Sequence, residues 1–217
     1  MGVRGCFAIA LAIALVFATL LVLGVVLGWS QVTMGASCGP RITRFEEPKT
    51  IRVYHAGRVY IVGFKAYVRQ VMARGEWPAH HKRATLRAGA QATKQYAWYN
   101  VKHWRGYVSG GRCFHVYSDT RDQLWSPDRT RYPVRASQRK AVNAVWGLSL
   151  AKYRSGRNHW FATSYRAGHS QRCGADANGW KLYAGGAAKC AREGRSYKYI
   201  LKRYYKNAVL SWAPGRG

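Results

Sequence analysis

One glutamate stands apart in this chain. The stretch "MARGEWPAHHKR", Met72 to Arg83, holds Glu76 followed by Trp77 and Pro78. The sequence carries 8 Asp and Glu against 36 Lys and Arg, and Glu76 is the only carboxylate between Glu47 and Asp119. Gly75 and Pro78 stop a helical pattern on either side of it, so the glutamate falls in a short turn between two helices. A carboxyl in such a turn can be aimed into a cleft. A neighbouring indole that excludes water raises its pKa and suits it to general-acid work. Arg74, Lys82 and Arg83 push the other way. A surface glutamate that caps a helix end or pairs with a basic neighbour is the competing reading, and the residues alone leave both open.

Other groups are weaker candidates. His80 and His81 are adjacent, so on a helix they face different directions and do not readily serve one metal. Cys113, His115, His169 and Cys173 have spacings a zinc site could use, but disulfides explain the cysteines more simply. Trp98, Tyr99 and Trp104 among Lys94, Lys102 and Arg105 resemble a stacking platform for sugars or bases. On a long helix such residues are more often half core and half snorkelling surface. "CFHVYSDTRDQLW" gathers Asp119, Thr120, Asp122 and Gln123, either as turn-forming side chains or as a hydrogen-bonding wall of a sugar cleft. No Ser-His-Asp order or phosphate-loop spacing supports a nucleophilic hydrolase or a nucleotide site. No metal or cofactor is expected.

The elements that must position these residues are legible in outline. "TIRVYHAGRVYIV" alternates around a glycine turn and predicts a hairpin with strands near 50–55 and 58–63. "FKAYVRQVMA" has helical period, with Phe64, Tyr67, Val68 and Val71 on one face. The segment from His80 to Trp104 predicts a long Ala-rich helix with Leu86, Ala90, Thr93 and Ala97 along one stripe. Residues 105–136 are loop-rich. Ser137 is placed to cap a helix running through Trp146. "LSLAKYRSGRNHWFATSY" predicts a second hairpin turning at Ser155 and Gly156. "NGWKLYAGGAAKCAREG" predicts a helix capped by Asn178 and stopped by Gly194. "SYKYILKRYY" predicts a last amphipathic helix and "AVLSW" a closing strand. The sum is an α+β fold: a single mixed domain of helices and short antiparallel hairpins, residues 50–217, behind an N-terminal apolar helix.

Composition narrows the setting. With 217 residues, 48% hydrophobic and 14% aromatic, the chain is long and apolar enough for a globular core. A formal net charge of +28 points to a polyanionic partner: nucleic acid, anionic lipid or an acidic cell-wall polymer. The uncharged run from Cys6 to Trp29 behind Arg4 reads as a signal-anchor or a signal peptide, with 30–49 as a tether. Export disfavours nucleic acid. It also puts Cys38, Cys113, Cys173 and Cys190 in an oxidising compartment, where an even number suggests two bridges. Cys173 with Cys190 is the nearest pairing in sequence, and Cys38 with Cys113 follows by elimination, although four cysteines allow three connectivities.

Laid end to end, the blocks from about Tyr60 to Tyr205 resemble the stage II sporulation protein D (SpoIID), or amidase-enhancer, family. "FKAYVRQVMARGEWP" is similar to the family segment in which a Glu is followed, after one residue, by Pro. "LRAGAQATKQYAWY" resembles the Ala-rich helix after that Glu. "AVNAVWGLSLAKY" with "FATSYRAG" resembles the helix and hairpin that lead to a small-residue turn. "NGWKLYAGGAAKCAREGRSYKYILKRYY" resembles the closing Gly-Trp helix and Tyr-Tyr ending. The resemblance implies an extracytoplasmic protein, anchored or secreted, that acts on bacterial peptidoglycan. Its members include lytic transglycosylases that cleave glycan strands lacking peptide stems, and enhancers of a cell-wall amidase.

On that resemblance Glu76 takes the place of the catalytic glutamate, and Tyr96, Asp119, Asp122, Gln123 and Trp180 are candidate walls of a glycan cleft. The sequence also departs from the family. The sporulation-type run Gly-His-Gly-Val-Gly-Met-Ser-Gln is replaced here by "RCGADANGW", with Cys173–Cys190 as a substitute staple. The family's Cys-Gln pair appears as Asp122-Gln123. A branch that binds glycan without cutting it is the alternative this leaves.

Overall fold

The computed structural model describes residues 46–168 and 170–212, apart from the Trp212 side chain, all within one compact unit, Ser37–Gly217. The apolar run 6–29, most of the tether, Cys38 and His169 lie outside the described residues. Among the described residues no helix is long and apolar enough to cross a membrane.

The first hairpin forms where the alternation predicts it. Strand β1 (Thr50–His55) pairs antiparallel with β2 (Arg58–Gly63), Ile51 opposite Val62 and Val53 opposite Tyr60. Both turn residues, Ala56 and Gly57, have positive φ, as a tight two-residue hairpin turn requires. Ile51 and Val53 point into the core. Helix α1 (Phe64–Val71) follows at once, burying Phe64, Tyr67, Val68 and Val71 as its period demands. It widens into a π-type turn, Met72–Glu76, ended by Gly75 at φ +113°. A Cβ on Gly75 would meet nothing within 4 Å, so the backbone conformation alone calls for glycine there.

Helix α2 (Arg83–Lys102) is the axis of the fold. The expected stripe of Leu86, Ala90, Thr93 and Ala97 is buried, but so is most of the remaining circumference, including Gln91, Lys94 and Gln95. Helices or strands pack on it from several sides, and small residues let them approach. Gly89 is one such point: a Cβ there would lie 2.2 Å from the Trp77 indole. The buried polar side chains work as ties. Gln95 bonds the carbonyls of Leu150 and Phe161 and accepts from Leu150 N. Lys94 Nζ donates to the Val145 carbonyl at 2.8 Å and to Glu47 Oε1 at 3.1 Å, and Glu47 also accepts from Gly147 N at 2.6 Å. Burial draws the Lys94 ammonium down to about 8, against the pull of Glu47. Trp98 is buried beside it, so the supposed platform on this helix faces the core in part.

The loop-rich middle holds short strands β3 (Val108–Ser109), β4 (Arg112–Cys113) and β5 (Val116–Tyr117). Strand β5 lies parallel to β1, with Val53 opposite Val116. Helix α3 runs Ala136–Ala144, shorter than the span to Trp146 that the sequence predicts. Ser137 does not cap it. Its hydroxyl donates to Ala79 O at 2.9 Å, and Gln138 Oε1 accepts from Arg135 N instead.

The second hairpin, β6 (Leu148–Arg154) and β7 (Arg157–Trp160), turns at Ser155 and Gly156 as expected, and β10 (Ala208–Trp212) pairs with the other edge of β6. Strand β8 (Ser164–Arg166) runs parallel to β9 (Lys181–Tyr183). The predicted Asn178-capped helix is corrected here. Residues 181–183 are strand, and helix α4 begins later, Ala184–Arg192. Asn178 Oδ1 takes the backbone N–H groups of Trp180 and Lys181, an Asx turn that competes with helix entry. Gly194, at φ +80°, ends that segment as expected. Helix α5 (Tyr197–Tyr204) is capped by Ser196 Oγ. Cys173 and Cys190 form the expected disulfide, closing a separation of 17 residues, a loop length worth about 3 kcal/mol. The fold is mixed α+β.

Candidate functional site

The turn carrying Glu76 is held from three directions. Gln138 Nε2 donates to the carbonyls of Met72 and Trp77, both at 2.9 Å, clamping the two ends of the turn. Trp77 is fully buried on Gly89, and its Nε1 donates to Thr93 Oγ1 at 3.1 Å. Arg74 Nε donates to the Trp125 carbonyl at 3.1 Å. Glu76 is left half-buried, with no ion pair among the described residues.

Both of its oxygens have donors. Leu124 N donates to Oε1 at 2.6 Å, and the Tyr165 hydroxyl donates to Oε2 in a short hydrogen bond. Behind Tyr165 stands a fully buried amide. Gln123 Nε2 donates to Tyr165 Oη at 2.8 Å and to Thr93 O at 3.1 Å, while Gln123 Oε1 accepts from the Tyr67 hydroxyl at 2.9 Å. The chain Tyr67–Gln123–Tyr165–Glu76 therefore links α1, the middle loop, β8 and the turn. A carboxylate offers about four lone-pair positions, so two accepted bonds leave room for a substrate hydroxyl.

The electrostatics follow from the donors being neutral. Burial raises the Glu76 carboxyl to about 7, and the Tyr165 hydroxyl, the Leu124 N–H and the Arg74 charge only partly offset it. Tyr67 and Tyr165 are both pushed well above the ordinary phenol value, by burial first and the Glu76 charge next, so they stay protonated donors. A carboxyl near 7 exchanges its proton readily at neutral pH, as a group acting first as acid and then as base must. Next to Leu124, Trp125 packs with His55 and Tyr60, ring centroids 5.5 Å apart for Tyr60–Trp125 and 5.9 Å for His55–Trp125. His55 is lowered by burial and by Arg74.

The other expected residues fall in different places. Gln123 is at the site, but its amide is consumed inside, so it orients Tyr165 rather than facing a ligand. Asp122 is a buried tie: its carboxylate takes the Arg105 guanidinium at 2.6 Å, the Tyr96 hydroxyl at 2.6 Å and Tyr117 N at 2.7 Å. Tyr96 is thereby engaged as well. Asp119 lies on the surface in a pair with Arg121 at 2.6 Å. Trp180 is 54% exposed and packs under Lys152 and Arg154, with Lys152 Nζ 3.2 Å from its ring centroid.

His80 and His81 precede α2, their rings 4.9 Å apart. Cys173 is committed to its disulfide and His115 Nδ1 accepts from Arg52 N, and among the described residues no three His, Cys, Asp or Glu side chains could hold a metal. The Cys38–Cys113 pairing lies outside the described residues.

Tyr165, Tyr67, Thr93 and the Leu124 N–H were not singled out as site groups by sequence. Tyr67 reads as core, and Tyr165 gives no signal beyond its place in "FATSYRAG". No protein-family model matches the chain, and no curated protein matches it.

Proposed function

We propose that this chain is an exported, SpoIID-like lytic transglycosylase that cleaves peptidoglycan glycan strands with Glu76 as its single general acid and base. The observation that carries the reading is a half-buried carboxyl near 7 whose partners are neutral donors. Ordinary glycosidases need two carboxyls, one to protonate the leaving oxygen and one to attack or to activate water. The other carboxyl felt by Tyr67, Asp122, is tied up by Arg105, Tyr96 and Tyr117 and supplies no second group.

A transglycosylase needs only one. Protonated Glu76 gives its proton to the glycosidic oxygen as the C1–O4 bond breaks. The muramic acid's own C6 hydroxyl then closes on C1, and its proton returns to the Glu76 carboxylate, leaving a 1,6-anhydro end. Tyr165 and the Leu124 N–H stabilise the carboxylate between the two transfers. The N-terminal run 6–29 would hold the protein at the membrane or direct its secretion.

The test is incubation with denuded glycan strands and mass spectrometry of the products. The reading expects 1,6-anhydro-muramic ends that vanish with Glu76→Gln. A second reading, a non-catalytic peptidoglycan-binding protein that stimulates a cell-wall amidase, draws on one observation: both Glu76 oxygens already serve as joints between the turn, the middle loop and β8. Glycan binding without products, unchanged by Glu76→Gln, would select it.

A further inference from the structure

Arg74 lies two residues from Glu76, on the other side of the positive-φ Gly75. Both side chains grip the same short segment: Glu76 takes the Leu124 N–H and Arg74 donates to the next residue's carbonyl, that of Trp125. The guanidinium is also stacked over the Tyr132 ring, its carbon 4.9 Å from the centroid, and Gln70 Nε2 holds the Tyr132 carbonyl at 3.0 Å. Arg74 is thus fixed in place while only its Nε is used. Its terminal nitrogens make no hydrogen bond or ion pair with any described residue, and the side chain is half-buried. A guanidinium carries five N–H donors in a flat fork suited to a carboxylate. The chain has few acids and spends Asp122 on Arg105 and Glu47 on Lys94, so this fork has no ion pair among the described residues.

Resting on the transglycosylase reading above, we propose that Arg74 is the specificity-determining residue of the site, its terminal nitrogens taking the free lactyl carboxylate of a stemless muramic acid. A glycan without stems carries that carboxylate on each muramic unit. In a glycan with stems it is an amide, neutral and extended by a peptide. The fork would then favour the denuded strand by charge-assisted hydrogen bonds that the amide cannot form. It would also set the muramic ring beside Glu76, since both groups hang from residues 124 and 125.

The test compares denuded glycan strands with the same strands after methyl esterification of the lactyl groups. The full chain bearing Glu76→Gln is titrated with each form by calorimetry, and cleavage is followed with Glu76 intact. The free acid should bind and be cleaved about 10- to 100-fold better than the ester, the range of a charged hydrogen bond. Adding Arg74→Gln should erase that ratio by weakening the acid alone, and Arg74→Lys should recover part of it. Equal binding of acid and ester overturns the assignment. So does a Arg74→Gln loss that is the same for both forms, which would mark a structural role through Trp125, and so does a failure of either form to bind. Discrimination in binding without any cleavage would instead sink the transglycosylase reading and leave the Arg74 assignment standing. Glu76-dependent cleavage indifferent to esterification would do the reverse.

Discussion

Two carboxyls whose charges the buried Tyr67 feels, Glu76 and Asp122, do opposite things. Asp122 has a fully buried side chain, a guanidinium at 2.6 Å, a phenol and a backbone N–H. It is ion-paired, and it fastens the loop at 117–122 to α2 and Arg105. Glu76 is half-buried, with as many neutral donors to its oxygens but no ion pair. Its charge is therefore costly, and its proton stays on until about pH 7. The difference teaches that in so basic a chain the informative feature is a carboxyl left without an ion pair, since pairing is the default outcome.

That contrast can be broken at several points. The largest effect belongs to Glu76→Gln, which should reduce glycan cleavage by about 10²- to 10⁴-fold, the usual worth of a positioned acid–base group, read as loss of anhydro ends. The same substitution should stabilise the fold. An unfolded glutamate releases its proton near 4.5 and the folded one near 7, so the folded state holds the extra proton in between. Stability from this group falls as pH rises through that window and is lowest above it. Removing the charge should return up to about 3 kcal/mol at pH 8 and almost nothing at pH 4, visible in denaturant midpoints. A midpoint for Glu76→Gln that is lower than wild type at pH 8 would contradict the unpaired burial of this group.

Asp122→Asn should do the opposite. It leaves Arg105 without its anion, and since that guanidinium is one-third exposed we expect a loss of about 2 kcal/mol rather than the full cost of breaking a buried pair. The smallest effect is expected from Tyr165→Phe. The Tyr165 hydroxyl lowers the Glu76 carboxyl by donating to it, so its removal should move the alkaline limb of the activity profile upward. A downward shift would mean that Tyr165 stabilises the protonated acid instead.

How much of this was legible in the sequence differs by element. The hairpins at 50–63 and 148–160 were readable because their turns need positive φ, which Gly57 and Gly156 supply, and because strand alternation is a local property. Glu76 in a turn between helices was readable for the same reason: Gly75 and Pro78 act on their own neighbours. The expected Asn178 cap failed because an Asx turn and a helix cap use the same side-chain oxygen, and local pattern does not say which set of N–H groups it will take. The Ser137 cap failed because the helix starts at Ala136, which puts Ser137 inside it and leaves Gln138 Oε1 to take the Arg135 N–H.

The site divides along the same line. By itself the sequence determined the mixed α+β composition of the fold and the isolation of Glu76 among bases, both consequences of residue type and short-range geometry. Only the tertiary structure decided that Gln123 and Tyr165, 42 residues apart, would meet and present a phenol to Glu76, and that Asp122 would be spent on Arg105. The physical reason is that a carboxyl's proton affinity depends on dielectric and partners within a few ångströms, and those partners come from β8, the middle loop and α1, segments brought together by packing around α2.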